Sequence, residues 1–557
     1  MKKWLTYGIT LTVILTTNAQ NFESALKNIA GTLQTVQSGK KEYQQSIESS
    51  DPGVVNLHID EVDTKGKTKS VVYEFNLADI DPNTVRATAK RDVITVNLTT
   101  NKKQKLIKKT VNDDKTNYIY NLNLYATDPD NGRSLAAAIK KAIPEARKIL
   151  AQRLALTGYT DRLEWLKEHI GNVDLAKKEI SQELTKNNDY PGAVVLHKTI
   201  ATGKKEQNKA YHFNLVYLNP KQINFYVNGD AFGLKILTKH GDKLIKVIEN
   251  NEQKSYTNKF NIATKNVEEA RDLQKVLTDI IPLAKQKLEA KLPKISNLDK
   301  GYDVLNNLIE KISVNDQEYN QHMSGNCVVN FEQTINGPKK SYNDVYEFNL
   351  ADLNKNQIKP KTKGKVIVVE LKTKSNQKYI KYTRNGEVKN YKSSILIYVP
   401  GAEQAEVVQK TIQDMTGICQ AKFDPKKQKQ LDFSTASQLL QDNLKNFDLG
   451  DTSYEQNIEF VEDNKSLKYQ KVITGKKSSK EQLYEVNLSD LNPKSVKIKV
   501  SGKKIMVEIS TNHMEKLIQY YKDGKIQSYQ NKLDMPAPDI ETARKIKRAM
   551  QNLIIKK

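Results

Sequence analysis

Hydrophobic and polar residues alternate in one short segment that occurs four times along the 557-residue chain. In its first occurrence Tyr73, Phe75 and Leu77 alternate with Glu74 and Asn76, which is the two-residue period of a half-buried β-strand. Copies of this strand begin at Tyr73, Tyr211, Tyr346 and Tyr484. Because they lie roughly 135 residues apart throughout, the pattern predicts four tandem copies of one module.

More strands are predicted after this segment in each copy. In the fourth copy residues 496–500 and 505–509 alternate in the same way and are separated by a Ser-Gly-Lys-Lys turn. A second hairpin follows, with Asn385-Gly386 at its turn in the third copy and Asp523-Gly524 in the fourth. These dipeptides tolerate the positive φ of a two-residue β-turn. We therefore expect about six antiparallel strands in a curved sheet per module.

Helical periodicity flanks the strands of each module. At the end of the fourth copy Ala543, Ile546 and Met550 recur at three- and four-residue steps and form an apolar stripe. Helices are also predicted ahead of the strands, over residues 22–46, 161–184, 299–312 and 435–447. The predicted fold class is α+β, with four tandem repeats that each contain a leading helix, the antiparallel strands and a closing amphipathic helix over one face of the sheet.

The first residues have the pattern of a signal peptide. Lys2 and Lys3 precede the short apolar run of residues 4–15, and small residues up to Ala19 make Gln20 the expected mature start. The alternative is a buried first helix. No later segment approaches the roughly 20 apolar residues that span a bilayer. We therefore expect an exported chain, periplasmic or extracellular, without a transmembrane segment after cleavage.

The signal peptide and the repeat together predict the domain boundaries. The signal peptide covers residues 1–19, and the four modules cover residues 20–157, 158–293, 294–424 and 425–557. A chain of this length exceeds one hydrophobic core, and length alone favours about four domains.

The chain carries a formal net charge of +24 at pH 7, which favours contact with an anionic partner. Export disfavours nucleic acid in that role. We expect an anionic envelope component or another exported protein, and no specific nucleic acid.

All four copies place lysines beside glycine at the turn before the repeated strand. The candidate anion-binding residues are Lys65, Lys67, Lys204, Lys205, Lys339, Lys340, Lys476 and Lys477. Flexible ammonium groups beside exposed backbone N–H groups can hold a phosphate or carboxylate. The alternative is an ordinary solvated turn, whose lysines also discourage edge-to-edge pairing of sheets.

The order of elements resembles the pleckstrin-homology-like superfold, in which one C-terminal amphipathic helix closes a curved antiparallel sheet. The likeness lies in the end of each module, such as residues 539–554 with their acidic start and Ala/Ile/Leu stripe. It implies a binding or scaffolding module without catalysis. In pleckstrin-homology domains the corresponding loop often carries phosphoinositide-binding lysines, although the arginine that usually accompanies them is missing from these turns.

Two other sets of residues are candidates for a specific role. One position of the repeat, just before a turn, holds Asn76, Asn214, Asn349 and Asn487. Such a side chain either bonds local backbone or contacts a ligand that all modules share. Cys327 and Cys419 begin the first strand and end the closing helix of the third module. Both a disulfide and two separate buried thiols are compatible with these positions.

No catalytic residue, metal ligand or cofactor motif is predicted. The seven histidines form no HExxH motif, and the chain lacks Gly-x-Ser-x-Gly, phosphate-loop and dinucleotide motifs. The predicted function is a non-catalytic, exported binding or scaffold protein whose repeats add avidity for an anionic or extended protein partner. The alternatives are a carrier of a lipid or other apolar ligand held between sheet and helix, and an enzyme whose active site the sequence does not reveal.

Overall fold

The structure is a computed structural model that describes residues 19–90, 92–187, 189–314, 316–423, 429–461 and 466–554. Residues 1–18, which carry nearly all of the predicted signal peptide, lie outside the described residues. The chain divides into two compact units, one that ends at Lys291 and one that begins at Leu292. Each unit contains two of the predicted modules.

Each module combines one six-stranded and one three-stranded antiparallel sheet. The prediction of a mixed helix and strand chain, with antiparallel sheets repeated four times, is confirmed. The predicted number of about six strands is too low, and the helices predicted over 22–46 and 161–184 extend too far. Strands begin at Val36 and Val173 instead. After Val36 buried Tyr43 is followed by alternately exposed and half-buried residues, which is the period of a strand.

The first unit contains the first and second modules. The first module consists of α1 (19–32), β1 (Val36–Ser38), β2 (Lys41–Asp51), β3 (Val54–Asp63), β4 (Thr68–Asn76), β5 (Arg86–Lys90), β6 (Val93–Thr99), β7 (Ile107–Val111), β8 (Lys115–Ile119), β9 (Asn121–Ala126) and α2 (Pro129–Gln152). The second module consists of α3 (Gly158–His169), β10 (Val173–Leu175), β11 (Lys178–Lys186), β12 (Ala193–Thr202), β13 (Lys205–Asn214), β14 (Leu218–Asn228), β15 (Ala231–Thr238), β16 (Lys246–Glu249), β17 (Glu252–Gln253), β18 (Lys259–Thr264) and α4 (Val267–Lys291). The sheet orders are β1-β2-β3-β4-β7-β8 with β5-β6-β9, and β10-β11-β12-β13-β16-β17 with β14-β15-β18.

The second unit repeats this arrangement. The third module consists of α5 (Leu298–Ile309), β19 (Lys311–Val314), β20 (Gln317–Gly325), β21 (Val328–Asn336), β22 (Ser341–Asn349), β23 (Lys359–Lys363), β24 (Val366–Lys372), β25 (Ile380–Arg384), β26 (Glu387–Lys392), β27 (Ser394–Val399) and α6 (Ala402–Lys422). The fourth module consists of α7 (Phe433–Asn443), β28 (Phe447–Leu449), β29 (Thr452–Val461), β30 (Ser466–Thr474), β31 (Ser479–Asn487), β32 (Lys497–Ser501), β33 (Lys504–Ser510), β34 (Gln519–Lys522), β35 (Lys525–Ile526), β36 (Lys532–Ala537) and α8 (Ile540–Ile554). Across the described parts of both units, no helix combines the length and apolar character needed to cross a membrane.

The helix at the end of a module packs on its three-stranded sheet. In the first module Ile139 and Ala142 of α2 share one hydrophobic cluster with Val96 and Leu98 of β6 and Leu124 of β9. The apolar stripe that the sequence places on one face of the helix is therefore the face that this core buries.

The asparagines that the four modules share cap a short 3₁₀ turn in every copy. Each side chain accepts a hydrogen bond from the backbone N–H two residues later, which belongs to Ala78, Val216, Ala351 or Ser489. The local backbone role considered from the sequence is therefore present in every copy.

The two modules of the first unit meet through a polar junction. Asn76 donates from Nδ2 to the Glu268 carboxylate at 3.3 Å, and Asp79 pairs with the Arg271 guanidinium at 2.5 Å. Glu268 and Arg271 lie in the first turns of α4. Tyr118 of the first module also packs its ring against Phe232 of the second, with centroids 4.8 Å apart.

The second unit has the same junction. Asn349 donates to Glu541 at 3.3 Å, and Asp352 pairs with Arg544 at the start of α8. In both units each of these contacts joins residues 192 positions apart. The contact between modules is therefore repeated along with the modules themselves.

Candidate anion-binding cleft

The lysines predicted to bind anions lie at the tip of one hairpin in each module, between β3 and β4, β12 and β13, β21 and β22, or β30 and β31. All eight are exposed. In the first module Asp63 accepts hydrogen bonds from the backbone N–H groups of Lys65 and Lys67, at 2.8 and 3.0 Å. Lys476 pairs with Asp451 at 2.9 Å. The tips are solvated turns, and a role for them in anion binding remains a prediction.

A cleft of about 530 Å³ lies between the two sheets of the second module. Lys198 of β12, Lys209 of β13, Lys235 of β15 and Lys259 of β18 all line it. The other described lining residues are Ile200, Gln207, Tyr211, Tyr226, Val247, Thr257, Phe260 and Asn261. The lysine cleft, as we call this site, thus has four cationic lining residues and no carboxylate among its described lining residues.

Lys198 is a half-buried cation of the cleft. Its ammonium donates to the main-chain oxygen of Asn261 at 3.0 Å. Burial, together with the positive charges of Lys178 and Lys209, lowers the pKa of Lys198 to about 8. Burial therefore makes the charged form of Lys198 less favourable than in a free lysine, and an anion placed beside it would relieve that cost.

The equivalent lysine of the fourth module has a carboxylate partner. Lys471 donates to the main-chain oxygen of Asp534 at 2.9 Å, across the same sequence separation of 63 residues that joins Lys198 and Asn261. The Asp534 carboxylate also pairs with Lys471 at 2.8 Å. In the second module Asn261 stands where the fourth has Asp534, so Lys198 receives a carbonyl from that position but no negative charge.

At the position of Lys235 the second module has the opposite charge from the third and fourth modules. Lys235 pairs with Asn261 in the ladder between β15 and β18. The third and fourth modules have Glu370 and Glu508 at this ladder position. Lysines compensate both: Lys361 lies 2.5 Å from Glu370, and Lys497 lies 3.1 Å from Glu508. In the third and fourth modules the charge at this ladder position is therefore neutralised by neighbouring lysines. In the second module positive charge accumulates at the same position.

The walls of the cleft combine this charge with aromatic surface. The rings of Tyr211 and Phe260 lie 5.8 Å apart, and Tyr226 lines the same space. One carboxylate approaches the rim, where Glu249 lies 3.6 Å from Lys209. Lys198, Lys235 and Lys259 keep the balance of charge positive.

Sequence reasoning missed these lysines because it searched for residues that all four copies share. None of the four belongs to the basic turns. The signal that reveals them is a difference between copies: the position of Lys198 holds Ile59, Gln333 or Lys471 in the other modules, and that of Lys235 holds Asn97, Glu370 or Glu508. A site present in one module only is visible in that comparison.

A further cavity of about 460 Å³ lies at the junction of the third and fourth modules. Three of its four carboxylates have cationic partners: Asp352 and Glu541 pair with Arg544, and Glu347 pairs with Lys381 at 2.9 Å. The fourth, Asp539, accepts a hydrogen bond from the backbone N–H of Thr542. The cavity therefore belongs to the packing of the two modules rather than to a charged binding site.

Cys327 and Cys419 form a disulfide in the third module, with Cα atoms 5.6 Å apart. It connects the residue before β21 to the end of α6. Within the described residues, no group of three or more His, Cys, Asp or Glu side chains is arranged to hold a metal ion.

Comparison with known proteins found no matching family, no matching curated protein and no matching solved structure.

Proposed function

We propose that the chain is an exported, non-catalytic binding protein that holds an anionic ligand in the lysine cleft of its second module. The observation that carries this proposal is the environment of Lys198, a partly buried cation. Its equivalent in the fourth module, Lys471, pairs with a carboxylate, whereas Lys198 contacts only a main-chain carbonyl at that position. Lys235 adds a second cation where the third and fourth modules have a glutamate.

The ligand that fits this cleft carries phosphate, sulfate or carboxylate groups on a ring-bearing or sugar-like body. Ammonium groups bind such oxyanions through charge-assisted hydrogen bonds. Tyr211, Tyr226 and Phe260 supply flat apolar surface for the body of the ligand. An uncharged apolar ligand would bring no negative charge to Lys198 and Lys235, so the cleft favours an anion over a neutral lipid.

The remaining modules serve as scaffold in this proposal. Each keeps the same sheets and helices, while the charges around its own inter-sheet space are compensated differently. The exposed hairpin-tip lysines form an outer basic surface that raises the local concentration of an anionic ligand through long-range attraction.

Calorimetric titration with tripolyphosphate and with a short oligomer of a uronic acid tests the proposal. We expect Lys198→Met and Lys235→Glu each to weaken binding by about 10- to 100-fold, since a hydrogen bond to a charged group contributes about 1.5–3 kcal/mol. The two probes distinguish phosphate from carboxylate as the preferred group.

Lys221→Met is the matched control for Lys198→Met, because Lys221 is an exposed lysine on β14 of the same module. Its removal changes the net charge equally and should leave the affinity within about twofold, as expected for a surface charge screened by salt. Equal losses in the Lys221 and Lys198 variants would show that bulk charge alone attracts the probes and would refute the cleft as the site.

A further inference from the structure

The junction within each unit defines two complementary surfaces on a module. The turn face consists of the Asn and Asp of the 3₁₀ turn with two nearby apolar residues, and the helix face consists of the acidic residue and Arg in the first turns of the closing helix. In the third module the turn face comprises Asn349, Asp352, Tyr379 and Tyr391, which are all at most 9% exposed. Both tyrosines belong to the hydrophobic cluster of the fourth module.

The turn face of the fourth module is exposed. It comprises Asn487, Asp490, Leu517 and Tyr529, the equivalents of the four residues just given. Leu517 is 41% exposed and Tyr529 is 48% exposed, whereas Tyr379 and Tyr391 are 9% and 6% exposed. Asn487 is exposed as well, and Asp490 is half-buried. The same surface that is covered in the third module therefore lies open in the fourth.

The helix face of the first module is open too. Asp130 and Arg133 occupy the positions in α2 that Glu268 and Arg271 occupy in α4. They pair with each other, as Glu268 and Arg271 do, but their side chains are 87% and 69% exposed, against 10% and 15% for the pair in α4. Asp130 and Arg133 are thus the same acidic and arginine pair that the junction uses in α4, but in α2 no turn face of a described module covers them.

We propose that the turn face of the fourth module in one chain binds the helix face of the first module in a second copy of the chain. The contacts would repeat those inside each unit: Asp490 with Arg133, as Asp79 with Arg271, and Asn487 with Asp130, as Asn76 with Glu268. Leu517 and Tyr529 supply the apolar area. Because the two faces differ, the contact is heterologous and links chains head to tail.

The occupant is a second copy because the two open faces complement each other in residue type and position. The turn face offers an aspartate to an arginine of the helix face, and an asparagine to an acidic residue of the helix face. Both internal junctions use the same two pairings. Ile94 lies on the first module at the position of Phe232, which receives Tyr118 in the first unit, and Ile94 is half-buried. Ile94 on the helix-face side of the first module can therefore provide an apolar contact for Tyr529 of the other copy.

Sedimentation velocity over a range of concentrations tests the proposal on the full chain. We expect the wild-type chain to form concentration-dependent oligomers. Arg133→Asp and Asp490→Arg should each raise the dissociation constant at least about tenfold, because each sets like charges opposite one another in a partly buried contact. The double variant Arg133→Asp/Asp490→Arg restores opposite charges, and it should recover association.

Lys140→Asp and Asp448→Arg are matched controls, since they make the same changes of charge at exposed positions of the first and fourth modules. Both should associate like the wild-type chain. A wild-type chain that stays monomeric at all concentrations would overturn the proposal. Association that survives both single reversals, or that only Asp490→Arg weakens, would overturn it as well, because a symmetric contact between two turn faces does not involve Arg133.

Discussion

The variant Arg271→Met should lower the free energy of unfolding of the first unit by about 3–5 kcal/mol, because it leaves a buried carboxylate without its partner. Asp79 is 6% exposed and pairs with Arg271, whose side chain is 15% exposed. Burial raises the pKa of Asp79, and the Arg271 guanidinium opposes that rise. Methionine keeps the aliphatic part of the arginine side chain but supplies no charge. The decrease in the free energy of unfolding therefore reports the ion pair.

The pH dependence of this defect follows from the raised pKa. A carboxyl whose pKa is higher in the folded than in the unfolded state destabilises the fold as pH rises above its unfolded value, which is about 3.9 for aspartate. The Arg271→Met defect should therefore be largest near neutral pH. It should shrink as the pH falls towards 4, because protonated Asp79 carries no charge to bury.

Urea unfolding followed by circular dichroism measures this effect at a protein concentration too low for chains to associate, and Arg133→Met is its matched control. Arg133 occupies the same position in α2, but it is 69% exposed, so its loss should cost less than about 0.5 kcal/mol. Equal stability of the Arg271 and Arg133 variants would contradict the view that the junction holds the two modules of a unit together.

The second large effect concerns the disulfide of the third module. The double variant Cys327→Ala/Cys419→Ala should lower the stability of the second unit by about 4 kcal/mol, since a cross-link across some 90 residues restricts the unfolded chain by about that amount. Cys419 is fully buried and Cys327 is 5% exposed. Alanine therefore avoids placing a new polar group in the core, although it removes some packing.

Thermal unfolding of the whole chain contains an internal control for this variant. Both cysteines of the chain lie in the second unit, so the transition of the first unit should not move. Wild-type protein in the presence of a reductant should unfold like the double variant. If reductant and substitution both leave the unfolding transition of the second unit unchanged, the disulfide does not form in the protein or does not stabilise it.

The sequence predicted the repeated sheets well because the alternation from Tyr73 to Leu77 recurs at a regular spacing. It misplaced the ends of the leading helices for a physical reason. The segment from Lys41 to Asp51 is rich in Glu and Gln, which favour helix, but pairing with β3 makes it a strand. Tertiary pairing overrides local propensity in such a segment.

The sequence predicted the candidate site poorly. It identified lysines that all copies share at the hairpin tips, whereas the lysine cleft depends on residues in which the second module differs from the others. The closeness of Lys198 to β18 depends on how the two sheets pack, and Asn261 lies 63 residues further along the chain. The second role of Asn76, as a donor to a glutamate 192 residues away, was equally hidden.

The most direct test of the proposed anion site is quantitative mass spectrometry of lysine labelling, with and without tripolyphosphate. A reagent specific for neutral amines is applied near pH 8, close to the lowered pKa of Lys198. We expect the ligand to protect Lys198, Lys209, Lys235 and Lys259 together, while the hairpin-tip lysines of all four modules react as before. Protection that is absent from these four residues, or that is spread evenly over the exposed lysines, would contradict the account.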